Sequence, residues 1–207
     1  MSAENRFDQA AEEWDSLEPR KKMIRAISER MFERLPLNAE MDVLDFGCGT
    51  GLLSLRVADQ VKSLTGIDTS SGMLNTFEQK ATQMGLKNTQ TQWLDLTQKM
   101  EIPGQYDLIV SSMVFHHVKE LNPVLVLLHR ALKPEGQLCI ADLDLDGGLF
   151  HENAVDVFHN GFDRKAFAEA LKTAGFSAVE VTDATSITKP VGDELRSFSI
   201  FLATGEK

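Results

Sequence analysis

Nine residues constrain this chain more than any others: Val43-Leu-Asp-Phe-Gly-Cys-Gly-Thr-Gly51. The apolar run Met41–Phe46 breaks into glycines at positions 47, 49 and 51, and Leu52, Leu53, Leu55, Val57, Ala58 and Val61 follow at helix-like intervals. This order predicts a buried strand, a tight glycine turn and a helix. A short continuous apolar run suits a strand covered on both faces, and glycine alone enters such turns without strain.

The same alternation repeats downstream. Ser63–Asp68, Thr91–Leu94, Tyr106–Ser111 and Gly136–Asp142 read as further strands. Ser71–Met84 reads as a helix, and Asn122-Pro123 marks a helix start with Asn as cap and Pro in the first turn. Strands that alternate with helices predict crossover units and a parallel sheet. Asp163 caps a helix that runs to Ala174 and stops at Gly175. Ala178–Asp183 and Ser197–Thr204 have no helix between them and predict an antiparallel hairpin at one edge. Arg20–Leu35 is an amphipathic helix that packs on or over the sheet, and Asp142–Gly161 is irregular. The expected fold is therefore α/β, a Rossmann-like three-layer sandwich in one domain. Residues 1–40 are expected to be largely helical, 41–142 to hold the glycine turn and the alternating strands and helices, and 143–207 to hold the irregular stretch and the C-terminal hairpin.

A glycine turn that opens a helix presents free backbone amides to a ligand. A dinucleotide site needs G-x-G-x-x-G, whose last position here is Leu52. Asp45, at the mouth of the loop, would also repel a pyrophosphate. It suits a ligand with an ammonium and a sulfonium beside its carboxylate, which describes S-adenosylmethionine. Asp68 ends the second predicted strand, where an acid takes both hydroxyls of an adenosine ribose. Asp95 ends the third, within reach of an adenine amine, and Ser111 ends the fourth, where backbone carbonyls meet the methionyl ammonium.

The motifs VLDFGCGTG, GID, WLDL, YDLIVSSMVFHHV and LKPEGQLCIAD resemble, in order and spacing, those of class I S-adenosylmethionine-dependent methyltransferases. The resemblance runs from about Phe7 to the C-terminus and is strongest to branches that act on small molecules, including quinone precursors. It implies a seven-stranded sheet whose last strand is antiparallel. It also implies a cofactor set of Asp45, Gly47, Gly49, Gly51, Asp68, Thr69, Met73, Asp95, Leu96 and Ser111, with Met73 against the adenosine and the Leu96 amide at the adenine. A protein methyltransferase and a non-catalytic S-adenosylmethionine-binding regulator are the alternatives.

On the acceptor side, Phe7–Asp15 resembles a lid segment in which Phe7 and Trp14 cover the cofactor; the alternative is that they staple a helix to the sheet. His116 is the first candidate for a general base and His159 the second, with His117 and Phe162 lining the substrate. Either of the paired histidines could instead bond a nearby backbone group. His151 lies in the irregular stretch where such enzymes build the acceptor pocket and is read as either a surface residue or a pocket residue, and His129 is expected inside a helix. Asp142–Gly147 imitates a calcium loop, but the twelfth position is Asn153 rather than Glu. These acids are read as solvated or hydrogen-bonded at a strand end, and no metal is expected.

Composition narrows the partners. Thirty-one acidic against 21 basic residues give a formal charge of −10, which disfavours nucleic acid and anionic membrane surfaces. The polar, acidic N-terminus is no signal peptide, and no apolar run approaches a membrane span. Cys48 and Cys139 read as reduced, buried thiols, consistent with a cytoplasmic chain.

Overall fold

The computed structural model describes residues 6–11, 13–35, 37–96, 101–151 and 155–207. Asn153, Glu12 and the first five residues of the expected lid region lie outside them. Seven strands form one sheet: β1 (Asp42–Phe46), β2 (Ser63–Asp68), β3 (Thr89–Trp93), β4 (Tyr106–Ser112), β5 (Leu132–Leu143), β6 (Ser177–Val191) and β7 (Glu194–Glu206). Their order is β3-β2-β1-β4-β5-β7-β6. The pairs among β1–β5 are parallel, and β7 runs antiparallel to both of its neighbours. The chain order reverses direction between β1 and β4, so a crevice opens at their carboxyl ends, where open α/β sheets bind ligands.

Side chains alternate between two cores, as the two-residue period of a strand requires. Val43, Leu64, Leu108, Val110 and Ile200 face one core, which α2 (Glu18–Arg34) covers with Ile27 and Met31 and α3 (Ser71–Gln83) covers with Phe77. Leu44, Ile67, Ile109, Ile140 and Phe201 face the other, filled by Leu125 and Leu128 of α4 (Leu121–Ala131) and Phe167 and Leu171 of α5 (Arg164–Thr173). A sheet buried on both faces explains why β1 and β4 read as continuous apolar runs.

Three local expectations change. The helix expected after the glycine loop is two 3₁₀ turns, Ser54–Arg56 and Ala58–Gln60. Leu55, Ala58 and Val61 are all buried at three-residue spacing, and that is the interval at which 3₁₀ side chains align. Asn122 is not a cap: α4 begins at Leu121 after Glu120, which makes no side-chain cap, although Pro123 does sit in the first turn. The C-terminal hairpin is longer than expected. It continues through Thr185–Ile200 pairing to a two-residue turn at Gly192, whose φ is +60°. Pro190 fits because β6 is the edge strand. Asp163 caps α5 as expected, accepting from the Ala166 amide at 2.9 Å.

The hairpin extension stands beyond the end of β5, whose ladder with β7 stops at Leu143–Ile200. It forms a wall for the stretch after β5. The Phe150 ring meets Phe198 edge-on with centroids 5.3 Å apart, and the Lys189 ammonium lies 4.6 Å over the same ring. Lys189 also donates to the Phe150 carbonyl. A fold-level consequence is that the next residue, His151, is held against the sheet edge.

Candidate active site

The glycine loop is folded back onto β2. The Gly47 and Cys48 amides both donate to the Ile67 carbonyl, at 2.8 and 3.0 Å. A Cβ on Gly51 would lie 2.6–2.7 Å from Leu55 and Phe77, so that position admits no side chain. Gly49 differs: its φ is +51°, yet a Cβ there would meet nothing within 4 Å. The loop is thus packed on one side and open on the other.

Asp45 lies under this loop, 1% exposed. Its Oδ2 has no hydrogen-bond partner among the described residues, and neither does the neighbouring Ser54 hydroxyl. Burial pushes the Asp45 carboxyl up to about 7, against an opposing pull from the nearby Ser54 hydroxyl and with a smaller upward contribution from Asp68. An unpaired buried carboxylate is costly, and it is relieved by a cation placed against the loop.

Asp68 braces the loop. Its two oxygens accept from the amides of Gly49 (2.8 Å) and Ser70 (2.9 Å). Burial raises its carboxyl from the ordinary value, and these amides and that of Thr69 oppose the rise. Each oxygen keeps a second lone pair for a hydroxyl. Thr69 is exposed and its carbonyl accepts from the Trp93 indole at 2.7 Å. Asp95 and Leu96 are half-buried just past β3. Met73 is 2% exposed on α3. The Ser111 side chain is buried and donates to the Phe46 carbonyl at 2.8 Å, tying β4 to β1 at the crevice.

The N-terminal segment is latched across this edge. α1 (Arg6–Ala10) places Asp8 on the start of α3, where its Oδ1 accepts from the Ser70 hydroxyl (2.7 Å) and the Gly72 amide (2.8 Å). The approach is so close that a Cβ on Gly72 would lie 2.8 Å from the Asp8 carbonyl oxygen. Asp15 accepts from Thr50 of the glycine loop and from Lys80, both at 2.6 Å. Phe7 contacts Trp14 and His117 edge-on, with centroids 5.7 and 5.5 Å apart, and Arg20 covers Trp14 at 3.8 Å.

The turn after β4 carries the paired histidines. Val114 closes on the glycine loop, since a Cβ on Gly47 would lie 2.4 Å from its side chain. His116 is 1% exposed, and its Nδ1 is 2.7 Å from Oδ1 of Asp142, itself 0% exposed at the end of β5. The β4–β5 register, which pairs Ser112 with Ala141, makes this meeting possible. His117 Nδ1 lies 2.6 Å from the Asp156 carbonyl. A carbonyl only accepts, so that nitrogen carries the proton. His151 joins them, with ring centroids 4.9 Å from His116 and 5.6 Å from His117.

His159 stands apart from this group. Its Nε2 is 2.9 Å from the Val118 carbonyl and its ring packs on Phe162. Phe162 is buried in the second core against Phe167 and Phe201, and Phe158 is exposed. His129 packs on Phe176 within α4, as expected. Sequence reasoning missed Asp142 as a member of the site and left His151 open between a surface position and a role. The signal for Asp142 was its place at the end of the strand beside the one that leads into His116. The acids after it are structurally engaged: Asp144 pairs with Arg164 at 2.6 and 2.7 Å, and Asp146 accepts from the amides of Gly148 and Phe150. A shallow cavity of about 270 Å³ near Asn38, Asp107 and Gly136 lies at the opposite, amino edge of the strands.

Comparison with known proteins decides the family. A methyltransferase domain model matches residues 37–180, well over half of the chain. The chain belongs to the methyltransferase domain family. An uncharacterized methyltransferase of Schizosaccharomyces pombe is 32% identical over 156 residues, 68% of this chain and 55% of that protein. A ubiquinone biosynthesis O-methyltransferase of Pseudomonas aeruginosa is 31% identical over 102 residues, 49% of this chain and 44% of that one. The chain thus spans about half the length of these curated relatives. Among solved structures, a SAM-dependent methyltransferase from Aquifex aeolicus superposes with a TM-score of 0.70 at 21% identity, covering 96% of this chain and 97% of that one. Among the described residues, no helix is long and apolar enough to cross a membrane.

Proposed function

We propose that this methyltransferase domain binds S-adenosylmethionine along the glycine loop and methylates a small-molecule acceptor at the carboxyl edge of β4 and β5. The observation that carries the reading is Asp45: a buried carboxylate oxygen without a partner, beside a loop that is open at Gly49. A cationic donor supplies the missing charge, and a pyrophosphate does not. Asp68 then meets the ribose with its remaining lone pairs, Asp95 and the Leu96 amide meet the adenine, and Met73 and Thr69 flank the adenosine. The matched relative named as a ubiquinone biosynthesis O-methyltransferase supports a small-molecule acceptor. Two buried free thiols suit a reducing cytoplasm.

When bound, the donor supplies a methyl on a positive sulfur: the acceptor's lone pair forms the new bond to carbon, the sulfur–carbon electrons return to sulfur, and S-adenosylhomocysteine leaves. The chain's own contribution is positioning and exclusion of water. The latch through Asp8 and Asp15 brings Phe7 and Trp14 over the edge. Asp142 fixes His116 with Nδ1 inward and Nε2 outward, so an acceptor that enters protonated meets its proton acceptor at the histidine group. His159 and Phe162 support that turn from behind. The test is turnover on a panel of phenols, catechols, thiols and amines, followed by release of S-adenosylhomocysteine. Release that depends on one acceptor class supports the reading. No release with any class, from protein that binds the donor, favours a binding role alone.

A further inference from the structure

Three imidazoles converge at the acceptor edge. One ring nitrogen each from His116, His117 and His151 lies within 4.8 Å of the other two. Two of the rings are oriented from behind in the manner of metal ligands, whose second nitrogen bonds a carboxylate or a carbonyl. His116 has Asp142 at 2.7 Å, and His117 has the Asp156 carbonyl at 2.6 Å. Both contacts use Nδ1, which directs Nε2 away from the support. His151 Nε2 is buried and has no hydrogen-bond partner among the described residues. Its ring is fixed by Phe150, 4.9 Å away between centroids, which the hairpin extension holds through Phe198 and Lys189.

We propose that His116, His117 and His151 bind one divalent transition-metal ion of the zinc class. Three neutral imidazoles with an open fourth position are a recurrent catalytic zinc arrangement. Soft or borderline ions prefer these nitrogen donors, whereas magnesium and calcium prefer oxygen. A tetrahedral ion with bonds of about 2.0–2.1 Å needs nitrogens a little over ~3 Å apart, so nitrogens that lie within 4.8 Å of one another must draw together on binding.

The metal site stands independently of methyl transfer. What rests on the proposed function is the occupant of the open position: an acceptor with a hydroxyl, thiol or catechol donor, whose proton is lost to solvent more readily once the oxygen or sulfur is bound to the ion. His116 then serves as a ligand, with Asp142 as its positioning residue.

The experiment strips the full chain with a chelator and titrates it with Co²⁺ alone, reading visible absorption, with Zn²⁺ as competitor. The expected result is saturation at one equivalent, with the band intensity of a four- or five-coordinate site, reversed by Zn²⁺. His151→Ala and His117→Ala should each weaken Co²⁺ binding at least about tenfold, and Asp142→Asn by about 10–100-fold. S-adenosylhomocysteine binding to His151→Ala, measured by calorimetry, should match wild type and so exclude misfolding. No stoichiometric Co²⁺ or Zn²⁺ binding to wild type overturns the proposal, as does unchanged affinity in the folded His151→Ala variant. Saturable Co²⁺ without any S-adenosylhomocysteine binding supports the metal site and overturns the donor reading instead.

Discussion

At the residue scale, Asp45 sets the electrostatics of the donor pocket. Its folded value of about 7 lies above the ordinary carboxyl value near 4. The folded protein therefore binds more protons than the unfolded chain between those limits, and ligand-free stability falls as pH rises through them. The ionised form is the one a cationic donor needs. S-adenosylmethionine affinity should accordingly rise on the order of tenfold from pH 5.5 to 7.5; calorimetry at the two values checks this, and a flat profile would place the cation elsewhere. Asp45→Asn should lose the pH dependence, weaken donor binding, and raise the ligand-free melting temperature at pH 8, because the buried charge is gone. Asp68→Ala removes the loop's brace as well as the proposed ribose contact. With hydrogen bonds to a charged group worth about 1.5–3 kcal/mol, affinity should drop at least about tenfold, and normal binding would reassign the ribose.

At the scale of elements, two latches hold the N-terminal segment, Asp8 on α3 and Asp15 on Thr50 and Lys80. Gly72 is the close contact of the first, because a side chain there meets the Asp8 backbone. Gly72→Ala should displace α1, and hydrogen exchange should show faster exchange over residues 6–10 while the sheet stays protected. Trp14→Ala should lower turnover more than donor affinity once an acceptor is known. Equal effects on both would make Trp14 a packing residue. The elements were legible to different degrees. β1 and β4 stood out because burial on both faces leaves nearly continuous apolar runs. The hairpin extension was invisible because its edge strand is solvated and carries Pro190, which reads as a loop. The 3₁₀ turns were hidden because Leu55, Ala58 and Val61 satisfy a three-residue and a helical period equally well over so short a span.

At the scale of the whole molecule, the parallel sheet brings together residues far apart in sequence. The reversal between β1 and β4 places the glycine loop beside the His116 turn, and the β4–β5 register sets Asp142 against His116. The positions of Asp45, Asp68 and Asp95 at or just past the ends of successive strands were readable because each closes an apolar or extended run. The histidine group was not, because His151 is positioned by Phe198 and Lys189 of a hairpin more than 35 residues away. A ligand that binds only the folded state at 100 times its Kd adds about 2.7 kcal/mol, so S-adenosylhomocysteine at that excess should raise the melting temperature by roughly 5–10 °C for a chain of this size. The most direct test of the central claim is a calorimetric titration of the wild-type chain with S-adenosylhomocysteine and, separately, with NAD. The account predicts saturable one-to-one binding of the first, at micromolar affinity, and none of the second; NAD binding without S-adenosylhomocysteine binding would contradict it.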